Sequence, residues 1–473
     1  MRTIVICLLL AVAVLACNQA PGENGAADGA RSGVLQYIGP AVNEAPETEW
    51  KTRPNAGQNI LSKSLTQAFY LYEKEPYGRP VDKAYGNYVD PIGYDKFHYE
   101  GDTVRVGLIG CLSGPVSDYS GNMLKGAQLA MDEFNADGGY FGMPFEIITR
   151  DDQAKMGISG HKMVELIFDE EVLGILGSMS SDTTHVGIRI ALKAEVPQMT
   201  SISTDPTITQ IIIPWAFRIL ADDWSQGRAM AKLVFEDFGF TKIAILERNN
   251  RYGRMGSQEI ARVAQRLGHP VEVKLKYESQ KDFSAQLRIV KEYQPEAVVI
   301  WGMYANASMI VKQAHDMGIH AQFFGADGLV SEKFIELAGE NAEGVIVTFP
   351  FNDTRETPET RNFIENYTRK YGRVPDSFSA HGYDAMLTMG QAILSAGEKF
   401  GKKKGLNRTR IRDELSRTKN LPGATGLINF DHTGNDSRVV EFAIIQNGKF
   451  EYLNQKRLEE AKKELGQVTK PNP

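Results

Sequence analysis

The amino-acid sequence predicts an α/β protein of two doubly wound parallel-sheet lobes joined by a hinge, preceded by an irregular N-terminal arm. Three observations carry that expectation. Apolar strand-like and amphipathic helix-like segments alternate from Thr103 onward, the same rhythm restarts after WAFRILADD, and a chain of 473 residues is too long for one ordinary core.

The elements read in order. TVRVGLIG is a strand, and LKGAQLAMDEFNADGG is an amphipathic helix stopped by Gly138 and Gly139. PFEIITRDD, VLGILGS and PQMTSIS are strands, with HKMVELIFDEE and VGIRIALKAE as the helices between them. Past the restart, KIAILER, VEVKLKYES, AVVIWGM, QFFGADG and GVIVTFPF are strands separated by helices such as GSQEIARVAQRLG and SMIVKQAHDMG. This alternation calls for parallel sheets covered on both faces. The remainder reads as the helices NFIENYTRKYG, FSAHGYDAMLTMGQAILSAG and TRIRDELSRT, then the strands GLINF and VVEFAIIQNGKFEYL, the latter folding over an Asn447-Gly448 turn.

The N-terminus is of another kind. MRTIVICLLLAVAVLACNQA has a single early Arg2 and an apolar run from Ile4 to Leu15, too short to span a bilayer, so residues 1–16 read as a signal segment. It closes on Val14-Leu15-Ala16-Cys17, which resembles the bacterial lipoprotein processing box, with Cys17 as the acylated residue. A Gly/Ala/Asn-rich tether, residues 17–34, follows. Lipid there would attach a water-soluble body to a membrane surface and make the protein a periplasmic or cell-surface anchored lipoprotein. Residues 35–100 hold Tyr37, Tyr70, Tyr72, Tyr77, Tyr85, Tyr88, Tyr94 and Tyr99 among many Pro, Gly and Lys, which suits an irregular arm packed on the body. The expected lobes are residues 101–220 with 352–436, and 221–351 with 437–455, leaving 456–473 as a tail.

Composition excludes several classes. Fifty-three Lys+Arg against 59 Asp+Glu leave a mildly acidic chain without a basic stripe, so no nucleic acid partner is expected. With Cys7 in the signal and Cys17 lipidated, Cys111 alone remains and no intrachain disulfide can form. The His residues make no HExxH or paired array, and GLIGCLSG is not a dinucleotide fingerprint. No GxxxxGK[ST], GxSxG or nucleophile–His–acid arrangement stands out, so neither an enzyme nor a metal or cofactor is expected.

In open parallel sheets ligands bind beyond the carboxyl ends of the strands. The loops there are SGPVSDYSG, SMSSDTTH, SISTDPT, RNNRYGR, MYANAS and ADGLVS, all small, hydroxylic or aromatic. SMSSDTTH carries more hydroxyls than one helix cap needs. Asp151 and Asp152 end a strand as capping acids, and Trp301 reads as core, with Trp224 near the hinge.

VGLIGCLSGPVSDYSGNMLKGAQLAMDEFNADGG, RDDQ, RYGRMG, KDFSAQLRIVKEYQPEAVVIWGMYANASMIVKQAHDMG and FFGADG…LAGENAEGVIVTFPF together resemble the leucine/isoleucine/valine-type periplasmic binding proteins over residues 101–455. The resemblance implies the type I binding-protein fold and a substrate-capturing lipoprotein, expected as a monomer, serving the permease subunits of an ATP-driven importer. It implies a ligand carboxylate at Ser180, Ser181, Ile202 (through backbone), Ser203 and Thr204, a first-loop Tyr of the site at Tyr119, Tyr252 and Tyr304 of the second lobe closing over the ligand, and Asp327 taking its ammonium group. Asp182 stands where relatives carry a neutral hydroxyl residue, and if turned inward it favours a cationic or multi-donor ligand. A branched-chain amino acid is the leading ligand. Urea, an amide or another small carboxylate, or a sensing role, stay open.

Overall fold

A computed structural model of the chain describes residue 97 and residues 99–468, apart from 115, 212 and 437. The signal segment, Cys17, the tether, nearly all of the Tyr-rich arm and the last five residues of the tail lie outside the described residues.

Among the described residues fourteen strands form three sheets. In the first lobe β1 (Val104–Gly110), β2 (Phe145–Asp151), β3 (Gly174–Leu176), β4 (Gln198–Thr200) and β5 (Ala216–Arg218) order as β2-β1-β3-β4-β5, all parallel. β1, with the sequence VRVGLIG, is buried almost throughout, as a strand covered on both faces must be. β5 lies in WAFRILADD, where the sequence reading saw only the restart.

The second lobe holds β6 (Ile243–Arg248), β7 (Val273–Tyr277), β8 (Ala297–Trp301), β9 (Gln322–Gly325) and β10 (Ile346–Thr348), extended by β13 (Phe442–Gln446) and β14 (Lys449–Tyr452). The order is β14-β13-β10-β9-β8-β6-β7, with β6 to β10 parallel and the last hairpin antiparallel. Asn447 and Gly448, both at positive φ, make its turn, as the Asn-Gly pair predicts. β11 (Leu421–Gly423) and β12 (Gly426–Ile428) form a separate antiparallel pair. Gln455–Val468 is a helix, which the sequence reading, with its tail from residue 456, does not anticipate.

Two helix boundaries position the site. The helix Ser117–Ala136 starts seven residues before the Leu124 that opens its apolar pattern, so SDYS is its first turn and not loop. Asp118 there suits the positive end of the helix dipole, and Tyr119 becomes a rigidly held side chain. The helix Ser181–Ala194 starts at once after Ser180, whose Oγ accepts from Thr183 N–H as N-cap.

The helix Ser377–Phe400, opened by a capping box of Asp376 and Ser379, lies along Ser117–Ala136. The two approach so closely that a Cβ on Gly126 would stand 1.8 Å from the Ser379 carbonyl oxygen. The chain crosses between lobes three times, and Leu220 with Ala221, Phe349 with Pro350, and Val439 with Val440 line one small cavity at those crossings. The buried Arg218 braces the spot, donating to Asn435 Oδ1 (2.7 Å) and to the Asp205 carbonyl (2.6 Å). Among the described residues no helix is long and apolar enough to cross a membrane.

Gly126→Leu forces two backbones apart and is expected to cost about 3 kcal/mol or more. Urea unfolding reads this directly; a midpoint equal to that of the parent chain would contradict the close crossing.

Candidate functional site

The carboxyl ends of both parallel sheets face one cavity of about 300 Å³. From the first lobe come Tyr119, Met179, Ser180, Ser181, Asp182, Ile202, Ser203 and Thr204, and from the second Tyr252, Met303, Asp327 and Gly328. Nine of the residues expected from sequence, namely Tyr119, Ser180, Ser181, Asp182, Ile202, Ser203, Thr204, Tyr252 and Asp327, therefore line one crevice. Tyr304 does not: its buried phenol turns away to donate to Asp118 Oδ1 at 2.7 Å, and its ring rests at 5.3 Å against that of Tyr119. A Tyr at the first position of a helix can face either the cleft or its rim, and the acid at Asp118 draws this one to the rim.

The first-lobe wall is a set of proton donors. Ser180 Oγ serves as the helix cap and meets Thr183 Oγ1 at 2.7 Å. Ser203 Oγ is spent inside the protein, on the carbonyls of Ser178 (3.0 Å) and Met179 (3.1 Å). Ser203 N–H donates to Thr200 Oγ1 at 3.0 Å, and the Ile202 N–H reaches the same oxygen only at 3.4 Å. Ser181 sits buried at the helix terminus, and the buried Thr204 hydroxyl lies near the Asp223 carboxyl without a partner in hydrogen-bond geometry among the described residues. Free hydroxyls at a helix N-terminus can hold an anion without a counter-cation.

The second-lobe wall is acidic. Asp327, 5% exposed, opens a short 3-10 turn after β9. Burial pushes its carboxyl up to about 6, against bonds from Tyr252 and the Gly328 backbone that favour the ionised form. Tyr252 Oη donates to Asp327 Oδ1 at 2.7 Å and accepts from Gly328 N–H at 2.9 Å. Behind it Asp223, wholly buried, takes a bond from Trp301 Nε1 at 3.3 Å and is raised well above the usual range by burial and by Asp327. Two buried acids set together form a place for a cation. Gly328 has no room for a side chain, since a Cβ would stand 2.4 Å from the Gly302 carbonyl.

Apolar surface fills the space between these walls: Val116, Met179, Met303 and the rings of Tyr119, Tyr252 and Phe378, the last edge-on to Tyr119 at 4.5 Å. Arg248, Asn249, Asn250, Glu278 and Ser279 add polar groups. The strand-end loop RNNRYGR announces part of this second-lobe set, but Phe378 arrives from a helix far along the chain and had no local signal. Asp151 and Asp152 are structural: Asp151 Oδ1 accepts from Leu112 N–H and Gln153 N–H, both at 2.9 Å, and Asp152 from the Ser178 hydroxyl at 2.5 Å. Trp301 is core.

The lobes touch across the cleft. Tyr119 Oη donates to the Gly328 carbonyl at 2.6 Å, and Arg251 Nη1 lies 3.0 Å from Asp205 Oδ2.

A crevice between two α/β lobes, with donors on one wall, buried acid on the other and apolar rings between, defines a solute-binding protein. Residues 103–448, well over half of the chain, match the periplasmic binding protein family, and the chain belongs to it, with the type I fold. It is 28% identical over 338 residues to the Leu/Ile/Val-binding protein homolog 1 of Brucella suis, covering 69% of this chain and 89% of that one. Its structure resembles the leucine-binding protein LivK of Thermotoga maritima (27% identity, TM-score 0.70, 74% of this chain and 98% of that one). It resembles equally the branched-chain amino acid transporter substrate-binding protein LivJ of Streptococcus pneumoniae bound to isoleucine (28% identity, TM-score 0.67, again 74% and 98%). The family is one of extracytoplasmic solute-binding proteins and not of enzymes.

The raised carboxyl gives a pH dependence with a definite sign. A proton on Asp327 competes with any ligand that presents an ammonium group, so affinity for such a ligand is flat above about pH 7. It weakens by about tenfold per pH unit as pH falls through the value near 6. Calorimetric titration from pH 8 to 5 checks this, with Asp327→Asn expected to flatten the curve; a constant affinity down to pH 5 would count against the buried acid.

Proposed function

We propose that the protein captures a free α-amino acid of the branched aliphatic kind in its cleft and delivers it to the permease subunits of an ATP-driven importer. The observation that carries this reading is the opposition of Asp327 to the donor wall of Ser181 and Thr204 across one cavity. An α-amino acid is the smallest common solute with a carboxylate and an ammonium on one carbon, and each half of that pair has its own wall. The carboxylate sits at the N-terminus of the helix Ser181–Ala194, with Ser180, Ser181, Thr204 and the loosely held Ile202 N–H as donors. The ammonium meets Asp327, oriented by Tyr252. The side chain lies among Tyr119, Met179, Met303 and Phe378. The relatives and neighbours named for leucine, isoleucine and valine support this ligand class.

A hydrogen-bonding side chain on the same amino-acid frame is the second reading, favoured by Arg248, Asn249 and Glu278 in the lining. The protein works as a monomer held to a membrane surface by lipid on Cys17, with transport rather than sensing as its role.

Thermal-shift and calorimetric screening with leucine, isoleucine, valine, glutamine, urea and benzoate separates these readings. Saturable binding of the aliphatic set is expected. A response to glutamine alone selects the second reading, and no response to any amino acid removes both. Asp327→Ala is expected to weaken amino-acid binding by about 2–5 kcal/mol, the usual cost of stripping a buried charge of its partner. Equal affinity in parent and variant would take Asp327 out of the site.

A further inference from the structure

Arg251 occupies a position that its own lobe does not explain. It is the first residue of the helix Arg251–Arg266, following the N-cap Asn250, and a cation there opposes the helix dipole. Among the described residues its side-chain partners all belong to the first lobe: Asp205 Oδ2 at 3.0 Å, Thr207 Oγ1 at 3.5 Å and Asp182 Oδ1 at 4.0 Å. The reason for a cation at this helix start lies across the cleft.

The far side is built to receive it. Asp205 is fully buried and fixed, with His185 Nε2 3.0 Å from its Oδ2, the Thr207 hydroxyl donating to its Oδ1 at 2.7 Å, and Arg218 bonded to its carbonyl. Burial alone would raise the Asp205 carboxyl, but the bonds from His185 and Thr207 outweigh it and hold the group well below the ordinary range. Asp182 is about a third exposed, stands in the first turn of the helix Ser181–Ala194, and lines the cavity beside Ser180 and Ser181. There it takes the favourable end of the helix dipole for itself and repels any second anion. The titratable and charged groups facing one another at this corner are Asp182, His185, Asp205 and Arg251.

We propose that Arg251 is the closing counter-charge of the anion subsite: arriving from the second lobe as the cleft shuts, it locks onto Asp205 and offsets Asp182, so that a carboxylate is held firmly at the Ser180–Ser181 helix terminus only in the closed protein. The proposal rests on the reading that a ligand carboxylate occupies that terminus. Arg251 is a positioning residue, acting through Asp182 and Asp205 without touching the ligand. An inward Asp182 then does not select for a cationic solute, because its charge is offset on closure.

The test uses Arg251→Gln, Arg251→Lys, Asp182→Ser and the double variant Arg251→Gln/Asp182→Ser, each shown to melt cooperatively. Leucine and isoleucine are titrated by calorimetry, with dissociation followed by stopped flow. Arg251→Gln is expected to weaken both ligands by about tenfold, chiefly through faster dissociation, since the pair is partly exposed. Arg251→Lys restores part of the loss, and removing Asp182 from the Gln variant restores most of it. Undiminished affinity in Arg251→Gln, or losses in the double variant that merely multiply, would overturn the proposal. A second readout needs no ligand: paired spin labels, one on each lobe, report the interlobe distance of the empty protein. Arg251→Gln is expected to shift that distance toward the open form, and an unchanged distribution would also overturn the proposal. Should the parent chain bind neither amino acid, the capture reading fails for those ligands, and the spin-label distances alone decide on Arg251.

Discussion

A carboxyl group shut away from water with no cation beside it is the constraint around which this molecule is arranged. Asp327 is buried, its bonds come from Tyr252, Gln226 and backbone, none of them basic, and it shares its burial with a second acid, Asp223. Such a group is costly to ionise, and the cost is offset when something positively charged enters the cavity. The donor wall has the complementary property. Ser181 is buried at a helix terminus whose N–H groups favour negative charge. Each lobe is thus poorly satisfied in one sign of charge, and a zwitterion placed between them satisfies both.

Closure follows from the same arithmetic. Binding energy of this kind is available only while both walls are near the ligand, so it favours the shut form over the open one. The protein adds its own cross-cleft contacts: Tyr119 to Gly328, Tyr304 to Asp118, and Arg251 to Asp205. These bracket the cavity on both sides; the Tyr119 bond is buried, while the Arg251 contact, at a partly exposed side chain, has the modest strength that suits a protein that must open again. The chain crossings at Leu220, Phe349 and Val439 lie together, which leaves one narrow waist to bend.

Much of this was legible in the order of residues. Alternation of strand and helix specified parallel sheets, because an amphipathic helix and an apolar strand have few ways to bury each other. The strand-end rule then pointed to the loops that line the cavity, Asp327 and the Ser180–Ser181 terminus included. The failures are instructive. The helix at Ser117 begins before its apolar pattern does, since its first turn presents Tyr119 to the cavity and packs the small Ser120 against Gly110 of β1 instead of carrying aliphatic residues. The resemblance sets Tyr304 in the cleft, but the carboxylate of Asp118 draws its hydroxyl to the rim. β5 is short and sits directly before a crossing, so its signal merged with the hinge segment.

Local chemistry determined the class of fold and the two-lobe plan, because periodicity and capping act over a few residues, while the polarity of each wall came with the family resemblance. Only the tertiary structure decided that Phe378 packs against Tyr119, that Asp223 stands behind Asp327, and that Arg251 answers Asp182 and Asp205. These residues lie far apart along the chain, and their charges and rings acquire meaning from the few ångströms between them, a separation set by how the two sheets and the Ser377–Phe400 helix pack.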